Sequence, residues 1–591
     1  MDFRKDIVKI VNPELRKMNK KLKIDESFLK IPPGPELGDY ALPCFAFSKE
    51  IKRSPNEIAQ ELVRKISLKQ PISRIDVKGP YVNFFINRQR MAEIVLQEIF
   101  KEKSRYGATK RKKEIVMIEF PSPNTNKPLH LGHIRNMVIG DSMSRIYKFC
   151  GSRVIKANLN NDRGIHICKS MLAYKKFGDG AMPDKRIKKT DHFVGDFYVK
   201  FNEEAKNNPA LEEEGKEMLK KWEQGDKETI KLWKLMNTWA YEGFEETYAR
   251  LGMGFDKYYY ESDFYDKGKK IVLNGLKKKK FKKDKDGAII AELEKYGLPN
   301  KVVLRSDGTS LYITQDIYLA IKKFKDYKLD RSIYVVANEQ DLHFKQLFKI
   351  LEILGYKWAK RCYHLSYGMV YLPHGRMKSR EGTVVDADDL IDEMVRMAKN
   401  EINKRHENLS MEELDRRAEI IGIGAIKFYF ANVDPARDMV YDPDKSISFD
   451  GETGPYVQYT YARICSILRK YAEEYGNAEK IAGKIKEKAG KKAEKVKINC
   501  SLFNDEKELD LIAKLNSFPF AVEDAITKNK PSAIANYLIK LCQSFNTFYQ
   551  FVPVLKADKE LRETRMSLIM GVKQIIENGL NLLGIDYLEE M

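Results

Sequence analysis

Apolar positions along the chain change their spacing in a way that predicts its elements. Residues Ile115–Phe120 form a nearly unbroken apolar run, the composition of a buried strand, and a loop rich in Pro and Asn follows. From Leu131 the spacing becomes helical, with Ile139, Met143, Ile146, Tyr147 and Cys150 on one face, until Gly151 stops the helix and Val154–Leu159 reads as the next strand. A second strand, helix and strand are predicted at Ile333–Ala337, Leu342–Leu354 and Tyr363–Leu372. Two such units predict an α/β domain over residues 114–396, a split doubly wound parallel sheet with a mixed, highly charged insertion at about 185–303. A nucleotide is expected at the carboxyl ends of its strands.

The flanks carry other periods. Residues 1–105 read as a small α+β domain: Ser54-Pro55-Asn56-Glu57 combines an N-cap serine, a proline at the first helical position and a glutamate placed for a capping box, so a helix is expected to about Lys65. Ile75 and Val77, then Val82, Phe84 and Ile86, alternate on either side of Gly79-Pro80 and predict paired strands. Residues 397–591 turn all-α, with helices from Gly454-Pro455 to about Tyr471 and at Lys507–Thr527, Ser532–Phe551 and Leu561–Leu583. Lys480–Lys497, rich in Lys and Ala, is expected to be a surface insertion.

Composition narrows the partners. The 591 residues hold 106 Lys plus Arg against 85 Asp plus Glu, a net charge of +21, which suits a polyanionic partner, although lysine alone makes many proteins basic. The 7 cysteines are scattered without a C-x-x-C pair, which argues against a disulfide framework and against a zinc module. No apolar run approaches a membrane span and the first residues lack a signal-peptide core, so a cytoplasmic protein with no membrane partner is expected.

Candidate chemistry sits in the loop before the helix at Leu131. It ends His130-Leu131-Gly132-His133, two imidazoles flanking a glycine where the unpaired backbone N–H groups of a helix start point outward. Phosphate fits such a place. The glycine lets a flat base lie against the backbone, and the histidines supply donors for developing charge. Lys127 lies just upstream, and Pro128 fixes the approach of the loop. Four letters alone would be read as capping histidines, but the stretch from Ser122-Pro123-Asn124 to His133 resembles the HIGH signature of class I aminoacyl-tRNA synthetases, in the S-P-N-x-x-K-P-x-H-x-G-H form of arginyl-tRNA synthetases.

That resemblance implies a Rossmann-type catalytic domain, an N-terminal domain that touches tRNA and a helical anticodon-binding domain of DALR type. It implies ATP contacts at Pro123, Asn124, His130, Gly132 and His133. Residues Gly375–Gly382 resemble the KMSKS loop imperfectly: Ser379 stands where a lysine is usual, and Lys378 comes one place earlier. Met377, Lys378 and Ser379 are the expected ATP contacts there, with Lys127 and Lys378 jointly holding pyrophosphate. An arginine substrate is a planar cation that needs carboxylates in a fixed fork. The resemblance assigns Asn158 to its amino-acid end and Glu261, Tyr312, Asp316 and Gln340 to its guanidinium or the wall behind it; Tyr312 and Asp316 share a face if a helix starts there. Tyr81 and Asn83, and Tyr456 and Tyr459 in a stretch that resembles the first DALR helix, are the implied tRNA contacts, while Tyr461 reads as buried between helices.

The expected activity is ligation of L-arginine to tRNA(Arg) through an arginyl-adenylate. ATP with Mg2+ is the co-substrate, with no permanently bound metal or organic cofactor, and the expected state is a monomer. The alternative is a non-catalytic tRNA-binding paralogue, favoured only by the irregular loop around Lys378.

Overall fold

A computed structural model describes residues 2–109, 113–372, 375–376, 385–405, 409–476 and 499–591. Lys480–Lys497 and the loop residues Met377, Lys378 and Ser379 lie outside these. The chain divides into two compact units, one of Met1–Tyr106, Arg463–Pro519 and Lys540–Asn578, the other of Gly107–Ala462, Phe520–Ile539 and Gly579–Met591.

In the first unit, strands β1 (Tyr40–Pro43), β2 (Ile72–Lys78) and β3 (Tyr81–Ile86) form an antiparallel sheet in the order β1-β3-β2. The capping box forms as its letters predict: Ser54 accepts from the Glu57 N–H, the Glu57 carboxylate accepts from the Ser54 N–H, and the helix runs Pro55–Lys65. Strand β1 is not visible in the sequence pattern, because Tyr40, Ala41 and Leu42 are all buried and show no alternation. Among the helical segments of this unit, the Arg565 guanidinium donates to Glu508 at 2.5 Å, and Glu508 is fully buried.

The second unit is built on a five-stranded parallel sheet, ordered β11-β10-β4-β5-β6. Its strands are β4 (Ile115–Glu119), β5 (Arg153–Asn160), β6 (Lys257–Tyr260), β10 (Arg331–Ala337) and β11 (Cys362–Tyr367); the short strands β7 (Lys282–Lys283), β8 (Ile289–Ala291) and β9 (Lys301–Leu304) make a separate antiparallel sheet. The chain winds outward from β4 in both directions, so the crevice between β4 and β10 is the topological switch point. Helix Leu131–Phe149 starts at that crevice and is buried along most of its length, because it lies against the sheet on one side and the helix Met411–Asn432 on another.

Two departures from the pattern matter for the site. The apolar run Tyr363–Leu372 is two strands, β11 and β12 (Val370–Leu372), broken at Gly368, where a Cβ would lie 2.4 Å from the Arg437 carbonyl. Residues 185–303 contain four α-helices, Thr190–Asn207, Ala210–Glu223, Lys227–Arg250 and Lys267–Lys277, but also β6, which pairs with β5 as the edge of the main sheet. Four residues rich in tyrosine carry too little periodicity to reveal that pairing.

Candidate active site

At the switch point the loop after β4 is tied to the end of β5: the Asn161 N–H donates to the Pro123 carbonyl at 3.0 Å and the Thr125 N–H to the Asn161 carbonyl at 3.3 Å. Pro123 is buried by this pairing and Asn124 is exposed beside it. His130 then caps the helix. Its Nδ1 accepts from the Gly132 N–H at 3.1 Å, and His133 Nδ1 accepts from the His130 N–H at 3.1 Å, with the two rings 3.9 Å apart. Gly132 packs closely here, since a Cβ would lie 3.0 Å from His130 Cε1 and the imidazole would have to shift to admit it.

Burial holds both imidazoles neutral. The His130 pKa falls to about 3, by desolvation and then by the nearby Lys127 ammonium; that of His133 falls well below its ordinary value through desolvation, His130 and Lys127. Because each Nδ1 accepts a backbone hydrogen bond, the one proton of each neutral ring resides on Nε2, and both rings offer an Nε2–H to an outside acceptor. Lys127 is itself buried enough that its pKa is lowered.

A second recess lies at the ends of β5 and β6 and the start of helix Tyr312–Tyr327. Glu261 directly follows β6, and burial pushes its carboxyl up to about 7, although the Arg163 guanidinium and a hydrogen bond from Gln315 oppose this. The helix does start at Tyr312, which is 70 % exposed, and Asp316 one turn on accepts from His343 Nε2–H at 2.7 Å. Burial raises the Tyr312 phenol pKa, and the nearby Glu261 and then Asp316 carboxylates add to this while the Arg163 guanidinium opposes it. Asn158 is fully buried on β5, with Nδ2 donating to Tyr248 Oη at 3.2 Å and Oδ1 without a partner among the described residues. Gln340 is exposed at the cap of helix Asp341–Ile353, on the far side of the switch point from β6.

Two residues that hold these parts carry no local signal. Asp162 is buried and clamps the Glu261 turn: Oδ1 accepts from the Ser262 N–H at 2.9 Å, and Oδ2 accepts from Ser262 Oγ at 2.7 Å and Tyr241 Oη at 3.1 Å. Arg135, a turn into the capped helix, is fully buried and donates to the carbonyls of Gly368 at 2.7 Å and Arg437 at 2.7 Å. It thereby fixes the turn between β11 and β12. An arginine on the apolar face of a helix was the one available hint.

Of the other sequence candidates, Tyr81 and Asn83 belong to the first unit and Tyr456, Tyr459 and Tyr461 to the second. Tyr81 is 40 % exposed on β3 and meets Phe45 edge to face at 5.7 Å, whereas Asn83 is buried between β1 and β2. Tyr456 and Tyr459 are half-buried on helix Gly454–Tyr475, Tyr459 lying edge-on to Phe449 at 6.2 Å, and Tyr461 is buried against Tyr587 at 4.5 Å.

A histidine-capped helix at the switch point of a parallel sheet, beside an acid-walled recess, is the arrangement of a class I aminoacyl-tRNA synthetase, and residues 95–442 match the family described as tRNA synthetases class I (R), catalytic domain. Residues 5–86 match the arginyl tRNA synthetase N terminal domain and 457–591 the DALR anticodon binding domain. The arginine-tRNA ligase of Treponema denticola is 47 % identical over 570 residues, 95 % of this chain and 94 % of that one; that of Bacteroides thetaiotaomicron is 43 % identical over 93 % of each. In three dimensions the chain superposes on the arginyl-tRNA synthetase of Thermus thermophilus with a TM-score of 0.82 at 26 % identity, covering 100 % of both. The chain belongs to the arginyl-tRNA synthetase family.

Proposed function

We propose that the protein ligates L-arginine to tRNA(Arg) in two steps. In the first, a carboxylate oxygen of arginine attacks the α-phosphorus of ATP, supplied as its Mg2+ complex; the new P–O bond replaces the bond to the β-phosphate, and pyrophosphate leaves. Positioning and charge stabilisation carry this step. The His130 and His133 Nε2–H groups donate to phosphate oxygens as charge moves onto them, Gly132 and the loop at Pro123 and Asn124 receive the nucleoside, and Lys127 with Lys378 takes the pyrophosphate. Met377 and Ser379 flank Lys378 on that side. In the second step the 2′ hydroxyl of the terminal adenosine attacks the adenylate carbonyl and AMP departs.

The observation that carries the arginine reading is Glu261, a carboxyl held by burial at a pKa of about 7 in a recess shared with Asp316. A guanidinium entering that recess converts it to a buried charged pair, with Tyr312 and Gln340 as wall and Asn158 at the amino-acid end, where its unpartnered Oδ1 meets the α-ammonium. A pocket that bonds a guanidinium rejects analogues lacking it by roughly 10⁴ or more, so an editing site is not needed. Residues 1–105, through the exposed Tyr81 and not the buried Asn83, and residues 397–591, with Tyr456 and Tyr459, contact tRNA, and residues 114–396 form the catalytic domain. The enzyme acts as a cytoplasmic monomer without a permanently bound metal or organic cofactor.

Aminoacylation of total tRNA with labelled L-arginine, with L-lysine as control, tests this. Wild type charges arginine alone, and Asp316→Ala loses charging by about 10²-fold, as expected for one half of a buried ionic contact. Tight tRNA binding with no charging by any amino acid would replace the enzyme reading with that of a binding paralogue.

A further inference from the structure

The histidine cap is held from outside its own loop. The His130 segment pairs antiparallel with Asp386: the Leu131 N–H donates to the Val385 carbonyl at 3.0 Å, and the Ala387 N–H donates to the Leu129 carbonyl at 3.0 Å. Asp386 also caps the helix Ala387–Asn403, accepting from the Asp388 N–H at 2.8 Å and the Asp389 N–H at 3.3 Å. The first turn of that helix is fastened in turn by the insertion helices. His192 Nε2 lies 3.2 Å from Asp388 and 3.4 Å from Asp386, Lys189 Nζ donates to Asp388 at 2.6 Å, and Thr247 Oγ1 donates to it at 3.1 Å. Gly195, one turn beyond His192, packs against Pro128, where a Cβ would lie 2.6 Å from the ring Cδ.

Asp191, His192 and Asp388 have the spacing of a cation site, their ligand atoms within 4.8 Å of one another. The Lys189 ammonium already fills that role, standing 3.3 Å from Asp191 and 2.6 Å from Asp388. The cluster is therefore an ionic clamp between the insertion and the first turn of the helix Ala387–Asn403. A cavity of about 190 Å³ adjoins it, lined in part by Lys127, His130, His192 and Asp386.

We propose that His192 is a positioning residue for His130: by its hydrogen bond to Asp388 and its ion pair with Asp386 it fixes the backbone bridge that sets the histidine cap at the switch point. The inference rests on the reading of His130 as the phosphate-side donor. Groups facing His192 are Asp386, Asp388, Asp191 and Lys189, with Lys188, Asp196 and Lys127 around the cavity. The carboxylates outweigh burial and raise the His192 pKa, so the charged donor is present below that value and is lost as pH rises through it.

The experiment is arginine-dependent ATP–pyrophosphate exchange by the full chain with tRNA present, for wild type, His192→Ala and His192→Gln, alongside wild-type aminoacylation. His192→Ala lowers kcat about tenfold or more while the arginine KM stays within about twofold, because a displaced cap affects the reacting phosphate and not the distant acid recess. His192→Gln keeps a donor to the carboxylates, recovers most of kcat, and loses the alkaline decline of the wild-type profile. An Ala variant with wild-type kcat overturns the proposal. So does a Gln variant without recovery, or parallel loss of kcat, KM and melting temperature, the mark of a general packing role. If His192→Ala does not fold, His192→Gln decides: persistence of the alkaline inflection overturns the inference. Absence of arginine charging by wild type would instead remove the function beneath it.

Discussion

The histidine cap and the acid recess use burial in opposite senses. At the cap, desolvation strips protons from bases, so that His130 and His133 stay neutral with their Nε2–H groups free to donate. The neutral state there is the working one, because a proton-bearing donor that carries no net charge needs no counter-ion before the triphosphate arrives. At the recess, desolvation adds a proton to an acid, and Glu261 rests near its own pKa of about 7. That neutral state is only the resting one, since an incoming cation reverses it. Burial thus sets protonation at both places, but only the recess couples it to substrate.

The comparison breaks most sharply at the cap. His130→Ala removes both the helix cap and a donor, and kcat for adenylate formation falls by about 10²–10³ with little change in arginine KM; pyrophosphate exchange measures both. A rise in KM equal to the fall in kcat would show that the cap and the recess do not act separately. Next in size, Glu261→Gln raises the arginine KM about 10²-fold, the cost of leaving a buried guanidinium without its anion. The wild-type KM falls as pH rises through about 7, where Glu261 ionises, and this dependence is absent in the variant. KM measured from pH 6 to 8.5 resolves the two.

A smaller effect concerns the free protein. The Glu261 pKa is raised on folding from an ordinary 4.5 to about 7, so the native state binds its proton more tightly, and stability declines as pH rises across that window. The penalty at pH 8 is about 3 kcal/mol, from a rise of about 2.5 pKa units at 1.36 kcal/mol each. Glu261→Gln therefore melts higher than wild type at pH 8 and equally at pH 4.5, while arginine stabilises wild type and not the variant. Smallest is Ser54→Ala, which removes one capping oxygen in the first unit. It costs about 1 kcal/mol of local stability and leaves kcat and KM unchanged, as thermal melts and exchange kinetics can check.

The two regions also differ in how they are written in the chain. The cap is contiguous: β4, the loop and the helix start lie within about 20 residues, a span whose backbone geometry fixes where His130 and His133 stand. The helix start at Tyr312 stayed conditional in the sequence, and the folded chain puts it there, with Asp316 one turn on. The clamp on Glu261 was not legible, because Asp162 and Ser262 are a hundred positions apart and neither has a neighbour that reveals the other. Lys189, His192 and Asp388 likewise look like scattered surface charges until the insertion folds back on the sheet.

What the sequence by itself determined is therefore local: the two strand–helix–strand units, the helical segments after Gly454, the capping boxes and the histidine cap, all set by side-chain period and backbone chemistry over a few turns. Only the tertiary structure decided that β6 joins the parallel sheet, that Asn83 is buried while Tyr81 is exposed, and that Arg135 ties the capped helix to the chain leaving β11. It also decided the protonation of Glu261 and the two histidines. A pKa depends on how much water is excluded and which charges face the group, and both are set by segments that meet only when the chain is folded.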